Sequence, residues 1–285
     1  MVNGIDREGG STARERLETA ADTDPLGLAS EANRRLRGAI VATVSAIVLL
    51  SVTTPLSFWD VIGIPVFYLL LPGLALAQLP LLRASRIERI PIYVGSAVTI
   101  LAIGGLALWL VVRLEGARPA FLDPIPGRDL LVWTALLTAV GVATLGSLTL
   151  LDRRVMGGEL STLLELLPRG GRERLVFAGL SLCAGVGEEL AYRGYALSAV
   201  QLLGVGPWAA AGISAAAFGL LHCYQGWLGT ARTAVTGFLL TLPLLMAGTI
   251  LPAILAHILI DLAGGLVIGP RLIRSSALVP AEEKE

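Results

Sequence analysis

Long apolar runs broken by short polar stretches dominate the chain from about residue 38 to residue 269. A bilayer core of about 30 Å is crossed by about 20 apolar residues in an α-helix. On that rule the runs 38–56, 58–80, 91–112, 129–151, 174–198, 207–226, 229–249 and 250–269 read as eight spans, the last two adjoining around Gly248 to Pro252. Helix is the required conformation, because in lipid every backbone polar group must be satisfied within the protein. The expected fold class is therefore all-α, a polytopic transmembrane bundle of about eight helices. Residues 1–36 are polar and mixed in sign, and read as a mostly disordered cytoplasmic tail. The first apolar run starts too far in for a cleaved signal peptide. Spans one to four occupy 37–152 and spans five to eight 174–269. Between them, 153–173 reads as a cytoplasmic loop or interfacial helix with Leu160, Leu163, Leu164 and Leu167 as its apolar stripe, and 270–285 as a second cytoplasmic tail.

Composition supports the membrane reading and excludes a soluble domain. Of the 285 residues 54% are hydrophobic and 15% charged, against roughly 25% charged in soluble domains, and the mean hydropathy is +0.74. Thirteen of the charged side chains fall in the first 37 positions, so the remainder is poorer still. A net charge of +0 gives no sign of a nucleic-acid partner. There is no Cys-x-x-Cys and no phosphate-binding glycine loop. Cys183 and Cys223 lie in apolar stretches and read as small buried hydrophobes.

Arginine sets the expected orientation. It gathers before span one and in even-numbered loops, for example Arg83, Arg86 and Arg89, then Arg153, Arg154, Arg169, Arg172 and Arg174, with Arg232 in the sixth. The first loop holds Asp60 alone, and the fifth and seventh hold no charge. The third is the exception, with Arg113, Arg118 and Arg128 offset by acidic neighbours. Both termini are thus expected to be cytoplasmic. No internal repeat relates the two halves, which weighs against many transporter folds.

The few ionisable groups inside the membrane carry the chemistry. Away from their ends, spans one to four and seven are read as holding none. Glu188, Glu189 and Arg193 fall in the fifth, His222 in the sixth, and His257 with Asp261 in the eighth. A charge at a helix centre costs about 2.5–3.5 kcal/mol on insertion scales, so each is a functional candidate by default. Glu189 and Arg193 are four apart and can form an internal ion pair. Glu188 lies about 100° round the helix, on the face of Tyr192 and Tyr195. Two adjacent carboxylates in low dielectric do not both ionise cheaply, and Arg193 decides which stays charged. Glu188 is then suited to act as a general base. His257 and Asp261 are four apart, so Asp261 can accept a proton from one ring nitrogen and orient the imidazole. Ala211, Ala215 and Gly219 form a small-residue stripe that permits close helix approach. Tyr224 and Trp227 read as interface anchors.

Three motifs, in order on successive apolar helices, resemble those of the CPBP intramembrane proteases. These are Glu188-Glu189-Leu190-Ala191-Tyr192-Arg193 (E-E-x-x-x-R), Phe218-Gly219-Leu220-Leu221-His222 (F-x-x-x-H) and His257-Ile258-Leu259-Ile260-Asp261 (H-x-x-x-D/N). That family includes type II CAAX prenyl endopeptidases and bacteriocin-processing or self-immunity proteins, and the resemblance covers about 174–269. It implies hydrolysis of a peptide bond within the membrane by an activated water, on a membrane-protein or lipidated-peptide substrate. Carried over, Glu188 with His222 activates the water, His257 and Asp261 stabilise the oxyanion, and Glu189, Arg193 and Phe218 support the site. Members with Asn at the last position can donate an amide to the oxyanion; Asp261 does so only when protonated and otherwise orients His257.

The family has been described both as metalloendopeptidases and as glutamate-type proteases. Glu188, His222, His257 and Asp261 would satisfy zinc in ligand type and number. The sequence has no His-Glu-x-x-His, and the same donors suffice without a metal, which is the favoured reading. From the span boundaries Glu188 and His257 sit at similar depth, with His222 about 12 Å nearer the cytoplasm. Tilt, shifted boundaries or a helix of partial span would remove that offset. The main alternatives are a non-catalytic scaffold or immunity protein of the same fold, then a proton-coupled transporter. The protease reading requires Glu188 within about 8 Å of His222 or His257.

Overall fold

The structure is a computed structural model that describes residues 25–84, 88–115, 120–155 and 161–271. The described residues are helical throughout, with short connections and no strand. The first helix, α1, spans Pro25–Thr53; the second begins as α2, Phe58–Pro65, passes through a π-helical turn at Val66–Leu70, and continues as α3, Leu71–Ala84. There follow α4 (Arg89–Glu115), α5 (Gly127–Val155) and the short α6 (Ser161–Leu166). Then α7 (Gly171–Glu189) runs through a second π-helical stretch, Leu190–Ala196, into α8 (Leu197–Gln201). Last come α9 (Pro207–Leu221), α10 (Gly226–Ala247) and α11 (Leu251–Leu262), the last extended by a third π-helical stretch at Ala263–Ile268.

Seven helical segments are long and apolar enough to cross a membrane: Gly27–Thr53, Phe58–Leu82, Arg89–Arg113, Gly127–Ser147, Gly171–Gln201, Cys223–Ala247 and Leu251–Arg271. The eighth apolar element, Pro207–Leu221, is shorter. The protein is thus an all-α polytopic bundle. Its outer surfaces suit lipid, with Val52, Leu131 and Leu175 among the most exposed side chains.

Several boundaries differ from the sequence expectation. Residues 25–36, read as part of a polar tail, continue the first helix. Glu31 and Arg35 pair at 2.5 Å one turn apart, and Arg35 also donates to the Leu76 carbonyl on α3. Local pairs of this kind let a polar sequence stay helical beyond the apolar run. The rest of the expected N-terminal tail, Arg83 to Arg86 in part, Leu160 and the tail from residue 272 lie outside the described residues or side chains. Of the 160–167 stripe, Leu167 is buried, against Gly269. The last two spans separate where Gly248 takes a left-handed conformation (φ 71°) to close α10, and Pro252 opens α11.

Asp60, expected in a loop, is buried in the first turn of α2, where its backbone N–H is capped by Ser57. Arg232, also expected in a loop, is buried inside α10. Both lie within a few residues of the point where hydropathy alone divides span from loop.

The core joins the π-helical turns of the second and fifth spans. Tyr68 donates to the Ala196 carbonyl at 2.9 Å, and Tyr192 to the Phe67 carbonyl at 3.3 Å. Tyr195 donates to Asp60 Oδ1 at 3.3 Å. A π-helical turn takes an extra residue, so i→i+5 replaces i→i+4. Tyr192 and Tyr195 accordingly reach the second span, and the Tyr192 ring also lies edge-on against Phe218 of α9 at 5.4 Å.

Candidate active site

Close backbone approach is what assembles the site. A side chain at Gly187 would place its Cβ 2.7 Å from the Ile100 carbonyl oxygen, and one at Gly185 would place it 3.0 Å from that of Ile254. The last turns of α7 are therefore wedged between α4 and α11, with the Ile100 and Ile258 side chains also closing on the two glycines. Across this contact His257 meets the Glu188–Glu189 pair. The expected small-residue stripe acts similarly: Ala211 and Ala215 are buried, and a Cβ on Gly219 would meet the Thr230 carbonyl of α10 at 2.8 Å.

Glu189 is 0% exposed and is the centre of a buried network. Its Oε1 accepts from the Arg193 guanidinium at 3.0 Å and from His257 Nδ1 at 2.7 Å. Arg193 also donates to the Gly237 carbonyl at 2.7 Å, and its guanidinium lies 4.6 Å above the Phe218 ring centre. The Glu189–Arg193 ion pair expected from i,i+4 spacing is therefore formed, and Glu189 has a second task. It fixes His257.

With Nδ1 held by Glu189, Nε2 of His257 faces Glu188 Oε2 at 3.6 Å and Asp261 Oδ2 at 3.9 Å. Both exceed direct hydrogen-bond length. Asp261 was expected to orient the imidazole, but a carboxylate from another helix takes that position. Spacing along one helix identifies neighbours on that helix and is blind to a closer acceptor across an interface. Buried Glu188 Oε2 and Glu189 Oε2 have no hydrogen-bond partner among the described residues.

His222 ends α9 and caps it, with backbone φ −98° and ψ 18°. Its Nδ1 lies 3.1 Å from the Phe218 carbonyl oxygen. A carbonyl only accepts, so Nδ1 carries the hydrogen of that bond and Nε2 is left for another partner. Phe218 stands between the two histidines, its ring 4.9 Å from His222 and 6.1 Å edge-on from His257. The depth offset inferred for His222 arises from treating 207–226 as one full span. The helix stops at Leu221, and a short 3-10 turn, Cys223–Gln225, follows within the bundle.

Glu188, His222, His257 and Asp261 line a single cavity of about 710 Å³. Its wall also includes Tyr224, Gln225 and Arg232, which the sequence reading assigned to an interface or a loop or did not single out. Tyr224 lies 5.9 Å from His222, its ring tilted by 36°. A buried arginine close to the start of an apolar segment was the available signal; its proximity to the preceding loop concealed it. Trp227, by contrast, is largely exposed, as an anchor would be.

The donor set expected for zinc does not converge. Among the described residues no three His, Cys, Asp or Glu side chains are placed to hold a metal ion.

Comparison with known proteins adds one finding. Residues 171–263, which contain all three motifs, match the family model described as type II CAAX prenyl endopeptidase Rce1-like. No curated protein and no solved structure gives a significant match.

Proposed function

From a chain whose residues 171–263 carry the pattern of a membrane-embedded CAAX-type protease family, we propose that this protein is an intramembrane endopeptidase in which Glu188 activates water. The substrate is a membrane-associated protein or lipidated peptide, with prenylated CAAX-type chains the class suggested by the match. The observation that carries the mechanism is the state of Glu188. Its carboxylate lines the cavity, its Oε2 lacks a hydrogen-bond partner among the described residues, and a histidine oriented by a different carboxylate stands 3.6 Å away.

The chemistry follows from these placements. Glu188 takes a proton from water as the oxygen attacks the scissile carbonyl, and His222 Nε2 helps to orient that water. His257, positioned through Nδ1 by Glu189, presents Nε2 towards the carbonyl oxygen; protonated there, it donates to the developing oxyanion. Asp261 borders the same position. Glu188 then returns its proton to the leaving nitrogen. Arg193 keeps Glu189 in place and does not touch substrate. The reading requires no metal, and both termini are assigned to the cytoplasmic side from the arginine distribution.

The test is incubation of the purified protein in detergent with prenylated Cys-aliphatic-aliphatic-Met peptides, with products followed by mass. Appearance of the prenyl-cysteine fragment, undiminished by 1,10-phenanthroline, is expected. No shortened product from peptides or from membrane-protein substrates would contradict the peptidase; complete inhibition reversed by added zinc would contradict the metal-free mechanism.

A further inference from the structure

A hydroxyl on a membrane helix ordinarily bonds back to the carbonyl four residues earlier, because lipid offers it no other partner. Thr43, Thr99, Thr138, Thr144, Thr230 and Thr241 all do so. Thr233 and Thr236 of α10 and Ser96 of α4 do not. Among the described residues their hydroxyls have no hydrogen-bond partner, and each side chain is only half-buried. All three residues line the cavity that holds Glu188, His222 and His257. Thr134, buried and also unpaired, lies outside that wall.

The fold brings these hydroxyls to the level of the candidate site. On α10 the wall is made by Thr233, Thr236 and Leu240, the i, i+3 and i+7 positions of one helical face. The residue after Thr236 is Gly237, whose carbonyl accepts from Arg193 and where a Cβ would meet the Phe218 ring at 2.9 Å. On α4, Ile100 lies one turn beyond Ser96, and its carbonyl faces Gly187, the residue before Glu188. Because α10 rests on α9 at Gly219 and α4 rests on α7 at Gly187, the hydroxyls enter the cavity from two walls.

Unpaired hydroxyls on two walls suit one kind of ligand. A helical segment satisfies its own backbone, whereas an extended segment presents N–H and C=O groups along both edges. Taken out of water, each of those groups needs a partner. A hydroxyl both donates and accepts, so it serves either group without reading a side chain. Resting on the peptidase reading above, we infer that Thr233 and Thr236, with Ser96 on the other wall, hydrogen-bond the backbone of an extended substrate segment and hold it beside Glu188. They bind substrate and take no part in proton transfer. The cavity thereby selects a segment that has left the helical conformation, whatever its sequence.

The experiment measures binding to Glu188→Gln protein, where hydrolysis does not interfere. The probe is a prenylated Cys-aliphatic-aliphatic-Met peptide, compared with three forms that each carry an ester in place of one backbone amide. The ester removes the N–H and weakens the carbonyl as an acceptor. Thr233→Val, Thr236→Val and Ser96→Ala are each expected to weaken binding of the all-amide peptide about fivefold, the range of one hydrogen bond. Thr233→Ser and Thr236→Ser keep the hydroxyl and are expected to bind like the parent. Thr230→Val, whose hydroxyl is committed to the Gly226 carbonyl, is expected to change nothing. At least one ester form should lose a similar factor against the parent protein and nothing further against the matching Val variant, the mark of a direct contact. In the active protein the same factor is expected in KM, not in kcat. Val variants that bind as tightly as the parent, or ester and Val losses that simply multiply, overturn the inference. Hydrolysis by the wild type alongside such a result overturns it alone, whereas coupled losses without any hydrolysis retain it and remove the peptidase.

Discussion

Two adjacent glutamates have opposite environments because of where their helix packs. Glu189 is enclosed by Arg193 and His257, and Glu188 opens on the cavity. The difference predicts different consequences for isosteric substitution. Glu189→Gln leaves the buried Arg193 without its counter-charge, and breaking a buried pair from one side costs about 3–5 kcal/mol. A clear fall in melting temperature in detergent, together with loss of cleavage, is therefore expected. A variant that melts like the wild type would show that Glu189 does not hold Arg193 in the folded protein. At this scale the sequence was informative where the membrane made charge expensive: Glu188, Glu189, Arg193, His222, His257 and Asp261 all stand out by location. It was misleading where partners come from other helices. The Glu189–His257 bond joins residues 68 positions apart, and no spacing rule ranks that acceptor above Asp261.

Helix approach and π-helical turns explain what element-level reading could not supply. Gly187 is predicted to be intolerant because its Cα faces the backbone of α4 directly. Gly187→Val should prevent normal assembly and lower expression of folded protein, as measured by monodispersity in detergent. Gly105→Ala meets nothing within 4 Å and serves as the tolerated control; equal behaviour of the two would contradict the wedge. The second span makes an independent case. A Cβ on Gly63 would fall 2.0 Å from the Tyr195 hydroxyl oxygen, so Gly63→Ala is expected to destabilise by about 1–3 kcal/mol through overpacking, read from thermal unfolding. Tyr195→Phe in the same background should recover part of it by removing the clashing oxygen. The spans themselves were legible because apolar length is a direct consequence of bilayer thickness. The π-helical turns were not, because one extra residue in a turn leaves the mean hydropathy unaltered while rotating everything beyond it.

For the whole molecule, the candidate catalytic residues of the proposed peptidase lie in the C-terminal half, and the first spans contribute cavity wall and packing. Span two supplies the π-helical turn that buries the tyrosines of span five, and α4 supplies the surface against which Gly187 rests. Removing residues 25–84 should thus abolish activity although no catalytic candidate is lost. Orientation is open to a direct check. Single cysteines at Ser11 and Ser276, in a protein lacking Cys183 and Cys223, should both be labelled by an impermeant maleimide only from the cytoplasmic face. Labelling from opposite faces would overturn the arginine-based assignment. The central claim is that Glu188 is the base of a peptidase site, and the most direct measurement is the hydrolysis rate of Glu188→Gln beside the wild type on one prenylated peptide. The account predicts a fall of about 10²–10⁴-fold with an unchanged melting temperature, and a Glu188→Gln variant that cleaves at the wild-type rate would contradict it.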